Sequence, residues 1–274
     1  MGHYVRSAGL SDIGLGRKRN EDAWIKLDSL SFYALADGMG GHPSGDIAAN
    51  QLLHHLCRLA RIHLPHFEGN PDELSKLMQS FICQSNDFLY QLGREDPELK
   101  GMGSTLLMLC FYKGHAVFGH VGDSRIYRWR SGEGLMQLTE DHSLLRELAS
   151  SGILPDQKIE RRVRSVLTRA MGTRSKVRPE IGIQPACDGD VFLLSSDGLF
   201  DVVGDDQIAE ILQQAESVDA AAYQLVEAAR TRGGRDNITT VIIQVEENDD
   251  AHLPRQQCND TDRSGCAASA NRDA

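Results

Sequence analysis

Four aspartates sit where apolar runs stop or start, and that placement has chemical consequences. Phe32-Tyr33-Ala34-Leu35-Ala36 ends in Asp37-Gly38, and Ala116-Val117-Phe118-Gly119-His120-Val121-Gly122 ends in Asp123-Ser124. Val191-Phe192-Leu193-Leu194-Ser195-Ser196 ends in Asp197-Gly198, while Asp236-Asn237 opens the run Ile238–Ile243. Buried strands of one sheet or sandwich end at a shared edge, so these carboxylates can converge although they lie far apart in the chain. Carboxylates held that closely repel one another unless something neutralises them, and hard divalent cations do so through oxygen ligands. A neighbouring glycine lets the backbone approach such an ion and offer a carbonyl. One Asp-Gly is an ordinary turn; four at strand ends call for more than turns.

The elements that must position them follow from periodicity. Helical spacing runs through 46–64 (Ile47, Leu52, Leu56, Leu59, Ala60) and 72–92 (Leu74, Leu77, Met78, Phe81, Ile82, Phe88, Leu89, Leu92), with 65–71 as connector. Strand-like runs follow at 104–111, 115–121 and 124–129, with turn residues at Gly114 and Ser131-Gly132-Glu133-Gly134 that imply antiparallel pairing. A helix is expected over 141–152, strands at 191–195 and 238–245, and helices near 206–215 and 218–230. Strands interleaved with paired helices indicate an α+β sandwich with the helices outside. From Asp249 the chain has no aromatic and one large aliphatic, Leu253, so 1–248 is expected to fold and 249–274 to form a disordered polar tail.

At 274 residues, 41% hydrophobic and 25% charged, the chain reads as globular, and its net charge of −10 argues against nucleic-acid binding. No apolar run reaches membrane-spanning length, and the first residues lack a signal-peptide core. Six cysteines form no C-x-x-C pair; Cys57, Cys83 and Cys110 fall in apolar periodic segments and are expected as free buried thiols in a reducing cytoplasm. Neither a Cys-x5-Arg pattern nor a phosphate-cradling P-loop is present.

Six motifs in order carry a resemblance. Arg17-Lys18-Arg19-Asn20-Glu21-Asp22, Asp37-Gly38-Met39-Gly40-Gly41-His42, Gly103-Ser104-Thr105, Gly122-Asp123-Ser124-Arg125, Ser196-Asp197-Gly198 and Gly234-Arg235-Asp236-Asn237 resemble those of the metal-dependent Ser/Thr protein phosphatases of type 2C, bacterial branch. The similarity extends from about Ser11 to Val245. It implies two stacked antiparallel β-sheets flanked on both sides by antiparallel helix pairs, an α-β-β-α sandwich. It implies two Mg²⁺ or Mn²⁺ ions bridged by Asp37, with the Gly38 carbonyl on one and Asp197 and Asp236 completing the other. Asp22 would bind a metal or its water, Asp123 would share a third, weaker ion with Asp197, and Arg17 would bind the phosphoryl group, with Lys18 and Arg19 solvated. The implied reaction is hydrolysis of phosphoserine and phosphothreonine by a metal-bridging water.

The chain also departs from part of that family. Many eukaryotic members carry histidine two residues after the bridging aspartate; here Met39 stands there, and a thioether cannot donate a proton. His42 is a candidate substitute, and His142 is read as structural support. The segment 153–172 corresponds to the family's variable flap, where Arg161, Arg162 and Arg164 could meet an acidic phosphopeptide or simply face solvent. The implied partners are phosphorylated proteins, among them a bacterial Ser/Thr kinase and its targets, with the enzyme a cytoplasmic monomer. A metal phosphodiesterase and a non-catalytic phosphoprotein-binding module are the rival readings.

Overall fold

A computed structural model describes residues 4–39, 44–153, 156, 159, 163 and 165–246. The expected tail at 249–274, the loop Gly40-Gly41-His42 and the flap residues Arg161, Arg162 and Arg164 lie outside the described residues. Eleven strands among the described residues form two antiparallel sheets. One runs β1(Tyr4–Asp12), β11(Ile238–Glu246), β10(Val191–Ser195), β7(Arg125–Arg130), β8(Gly134–Gln137). The other runs β2(Asp22–Leu27), β3(Phe32–Met39), β5(Leu106–Tyr112), β6(His115–Val121), β9(Glu180–Pro185), with the short β4(Gly103–Ser104) on the end of β3.

The apolar runs read as continuous rather than alternating because both faces of each sheet are buried. On β3, Phe32, Ala34 and Ala36 pack against helices, whereas Tyr33 and Leu35 face the second sheet. On β10, Phe192 and Leu194 join that same inter-sheet core while Val191 and Leu193 turn outward to the other helices. Helices α1(Gly45–His63) and α2(Pro71–Glu95) cover the sheet of β3. The later helices α5(Asp205–Gln214) and α6(Val218–Thr231), which follow α3(Leu144–Ser150) and the short α4(Asp197–Phe200), cover the sheet of β11. Four layers result, as the α-β-β-α expectation requires.

Local chemistry sets the boundaries. Asn70 and Glu73 cap α2 reciprocally, with Pro71 in the first turn. The β5–β6 hairpin turns at Lys113 and Gly114, both with positive φ, as a tight two-residue connection requires. The helix expected over 141–152 is shorter, because Asp141 pairs with Arg125 and His142 is bonded to Gly122; Ser143 then caps α3. Periodicity missed β1, β2 and β9, whose glycines and charges interrupt the apolar signal. Cys57 and Cys110 are buried, but Cys83 is half-buried, on the helix side that faces solvent in part; all three are free of disulfides. No helix among the described residues is long and apolar enough to cross a membrane.

Candidate active site

Strand register explains how distant carboxylates meet. Asp22 opens β2 and pairs directly with Asp37 on β3. Asp123 follows β6 in that sheet; Asp197 follows β10 and Asp236 precedes β11 in the other. Both sheets therefore deliver carboxylates to one end of the sandwich. Each affects the others. Asp37 is held well above the ordinary carboxylate range, first by loss of solvation and then by Asp22, Asp197, Asp123 and Asp236. Asp197 is likewise raised well above it by burial, then by Asp123, Asp236, Asp22 and Asp201. Burial pushes Asp22 up to about 6, opposed by hydroxyl donors, and pushes Asp123 up to about 6, helped by Asp141. Asp201, one turn along from Asp197, was not singled out from the sequence; it has no motif around it.

Hydroxyl groups fix this cluster. Thr105 receives the Asp37 amide on its Oγ1 at 3.0 Å and donates its own amide to the Asp37 carbonyl at 2.8 Å. Ser104 Oγ donates to the same carbonyl at 2.9 Å. The Gly-Ser-Thr motif thus holds the backbone of Asp37. Ser196 Oγ and Thr239 Oγ1 each donate to Asp22 Oδ2 at 2.7 Å, whereas buried Asp22 Oδ1 has no hydrogen-bond partner. Ser196 belongs to the Ser196-Asp197-Gly198 motif, just past the end of β10, but nothing local marks it as a partner of Asp22; Thr239, inside β11, carries no local signal at all.

Arg17 reaches the cluster through backbone. Leu15 and Gly16 donate to the carbonyls of Gly234 and Arg235, and buried Asn237 bonds the amide of Glu21 and the carbonyls of Ile13 and Arg19. That clasp sets Arg17 beside Asp236, with Nη2 donating to Oδ2 at 2.7 Å and half of the side chain in solvent.

The donor set suits a hard divalent cation. It is oxygen-only and mutually repulsive, and it contains a buried carboxylate oxygen left without a donor. Gly38 has no room for a side chain: a Cβ there would collide with the carbonyl oxygen of Gly45 and lie 2.8 Å from that of Glu21. A second cluster, His120, His142 and Glu180, is a poorer candidate. The two rings stack at 4.5 Å and 18°, so their in-plane lone pairs cannot converge on one ion. His142 Nδ1 already accepts the Gly122 amide at 3.1 Å, which leaves its proton on Nε2, facing Glu180 Oε1 at 3.1 Å. Burial, His120 and Arg169 push His142 down to about 4. With its amide on the Gly122 carbonyl as well, His142 is the structural support expected of it.

The sandwich that carries these carboxylates belongs to one family. Residues 9–238 fit the family described as Protein phosphatase 2C, and the chain belongs to it. It is 33% identical over 244 residues to a putative protein phosphatase 2C-type of Streptococcus pyogenes, covering 87% of this chain and 97% of that protein. It is 39% identical over 246 residues to the serine/threonine protein phosphatase PstP of Mycobacterium tuberculosis, covering 89% of this chain but 46% of PstP. Among solved structures, the catalytic domain of PstP in complex with two manganese ions aligns with a TM-score of 0.77 at 34% identity, over 89% of this chain and 99% of that one. Stp1 from Staphylococcus aureus aligns with a TM-score of 0.80 at 28% identity, over 90% and 97%.

Proposed function

We propose that this chain is a metal-dependent protein serine/threonine phosphatase whose residues 1–248 form the catalytic domain. Asp37, the Gly38 carbonyl, Asp197 and Asp236 would hold two Mg²⁺ or Mn²⁺ ions, with Asp22 beside them and Asp123 sharing a weaker third with Asp197. The observation that carries this reading is a buried Asp37 with four other aspartates around it. Loss of solvation first, and then those carboxylates, hold it well above the ordinary range, and such a cluster is stable in its ionised form only when cations occupy it. When bound, the ions supply the charge that offsets this repulsion, Lewis acidity toward phosphoryl oxygens and a lowered pKa for water.

The chain's own groups do the rest. Ser196 and Thr239 favour the ionised form of Asp22 by donating to it, and Ser104 and Thr105 keep Asp37 in register. Arg17 can exchange its single bond to Asp236 for two parallel bonds to a dianionic phosphoryl group, which a planar guanidinium matches. Met39 donates no proton, so the leaving serine or threonine oxygen must take its proton from another source, His42 or water.

Kinship with the serine/threonine phosphatases PstP, PhpP and Stp supports phosphoprotein substrates. We extend this to a bacterial Ser/Thr kinase and its targets, and to a monomer working in the cytoplasm, a compartment consistent with free cysteines. The test is hydrolysis of a phosphothreonine peptide and an aryl phosphate by protein stripped with chelator and then given Mn²⁺. Full activity in excess chelator, or faster turnover of bis-aryl than of mono-aryl phosphate, would overturn the reading.

A further inference from the structure

A cationic pocket lies one strand away from the aspartates and takes no part in the chemistry above. Its rim is Thr173, Arg174, Lys176 and Arg178, and Arg169 and Glu147 complete its wall; its volume is about 260 Å³. Arg174, Lys176 and Arg178 put three cations within five residues. Arg169 is already compensated, donating to Glu180 at 2.9 Å. Among the described residues, no carboxylate forms an ion pair with Arg174, Lys176 or Arg178.

The backbone that carries these cations is held in place. Asn86, fully buried on α2, accepts the Gly172 amide at 2.9 Å and donates to the Arg174 carbonyl at 3.0 Å. Gly172 has φ +78°, and a Cβ there would press on Leu89 at 2.7 Å. Arg169 Nη1 also reaches the Arg178 carbonyl at 3.4 Å. The loop's backbone is therefore ordered before any ligand arrives, which lowers the cost of docking on it.

Its distance from the reaction is set by pairing. Met171 bonds Ser104 in both directions, at 2.8 and 3.2 Å, and Ser104 pairs with Gly38 across β3–β4. Two such spacings place Met171 roughly 10 Å from the Asp37–Gly38 backbone, and Thr173 on the pocket's edge lies against Gly103, the β4 residue paired with Met39. An extended peptide advances about 3.3 Å per residue, so a side chain about three residues from the phosphoresidue would arrive there.

We infer that this pocket, formed by Arg169, Arg174, Lys176 and Arg178, binds an anionic side chain flanking the phosphoresidue of the substrate. It would thereby make the enzyme selective for acidic phosphopeptides. The inference rests on the phosphatase reading given above. The shared ligand chemistry is a cluster of anionic oxygens, which either a carboxylate or a second phosphoryl group can supply.

The experiment compares Mn²⁺-loaded wild type with the variant R174Q/K176Q/R178Q. Substrates are phosphothreonine peptides with Gln, Glu or a second phosphothreonine placed two, three or four residues from the scissile residue, and an aryl phosphate. In wild type, an anion about three residues away should lower KM about tenfold relative to Gln, and added salt should erase the gain. The Glu and phosphothreonine arms tell which anion is preferred. In the variant the gain should disappear, with kcat and aryl-phosphate turnover within about twofold of wild type and thermal unfolding unchanged, as expected for surface substitutions. Two results would overturn the docking site: a wild type indifferent to flanking charge, or a variant that keeps the full preference. Failure of metal-loaded wild type to cleave any phosphopeptide would overturn the phosphatase reading, and the docking site with it.

Discussion

Replacing Asp22 by Asn should stabilise the metal-free protein while impairing the enzyme. Asp22 is 4% exposed, and burial raises its carboxyl from 3.8 to about 6. The sign follows from linkage. A carboxyl whose pKa is higher in the folded state contributes most below its unfolded value, and that contribution is lost as pH rises through the folded value. A rise of about 2.2, at about 1.36 kcal/mol per pKa unit, gives a penalty of roughly 3 kcal/mol above pH 7. Asparagine is nearly isosteric and cannot ionise. Its amide oxygen can keep both hydroxyl bonds, and its NH₂ can donate to the neighbouring Asp37 carboxylate, across the β2–β3 register. D22N should therefore gain roughly 3 kcal/mol at pH 7.5 in chelator, shrinking to under about 1 kcal/mol near pH 4. Urea unfolding of both proteins at several pH values reads this directly, and D22N minus wild type cancels the opposing contribution of the buried histidines. Saturating Mn²⁺ should reverse the order, since bound cation stabilises the folded wild type in proportion to its affinity. A D22N that is less stable than wild type in chelator at pH 7.5, or equally stabilised at every pH, would refute the argument.

Other outcomes follow from the same geometry. Chelation should abolish turnover, and Asp37→Asn or Asp197→Asn should lower kcat by at least about 10²-fold with Mn²⁺ restored, the scale for losing a group that stabilises developing charge. Asp123→Ala should reduce turnover while calorimetry still finds tight binding of the first two ions; unchanged turnover at all metal concentrations would reduce Asp123 to a turn residue. Arg17→Ala should raise KM for aryl phosphate and weaken inhibition by inorganic phosphate without altering metal affinity, and Arg17→Lys should rescue only partly, since an ammonium lacks the fork. Gly38→Ala should lower the melting temperature by several degrees or more, because the added Cβ meets backbone that cannot give way; a variant as stable as wild type would show that the approach of Gly38 to Gly45 is loose.

The amino-acid sequence by itself picked out the aspartates that the fold gathers and most of the elements that bear them. Asp37, Asp123, Asp197 and Asp236 are legible because each sits at the border of a run apolar enough to be a buried strand, a property of local composition. The helices covering both sheets are legible for the same reason: their periodicity is local. Convergence is different. Asp22 meets Asp37 only because β2 and β3 pair in one register, and a slip of one residue would turn Asp22 to the other face. The supporting hydroxyls of Ser196 and Thr239 lie 174 and 217 residues from the carboxylate they serve. Arg17 reaches Asp236 across 219 residues because Asn237 clasps the loop that carries it. The cationic pocket at 169–178 has no sequence periodicity of its own; its place beside the site comes from Met171 pairing with Ser104. Residue type and local pattern act over a few neighbours, whereas register and sheet stacking couple the whole chain, so only the tertiary structure could decide which of these groups stand together.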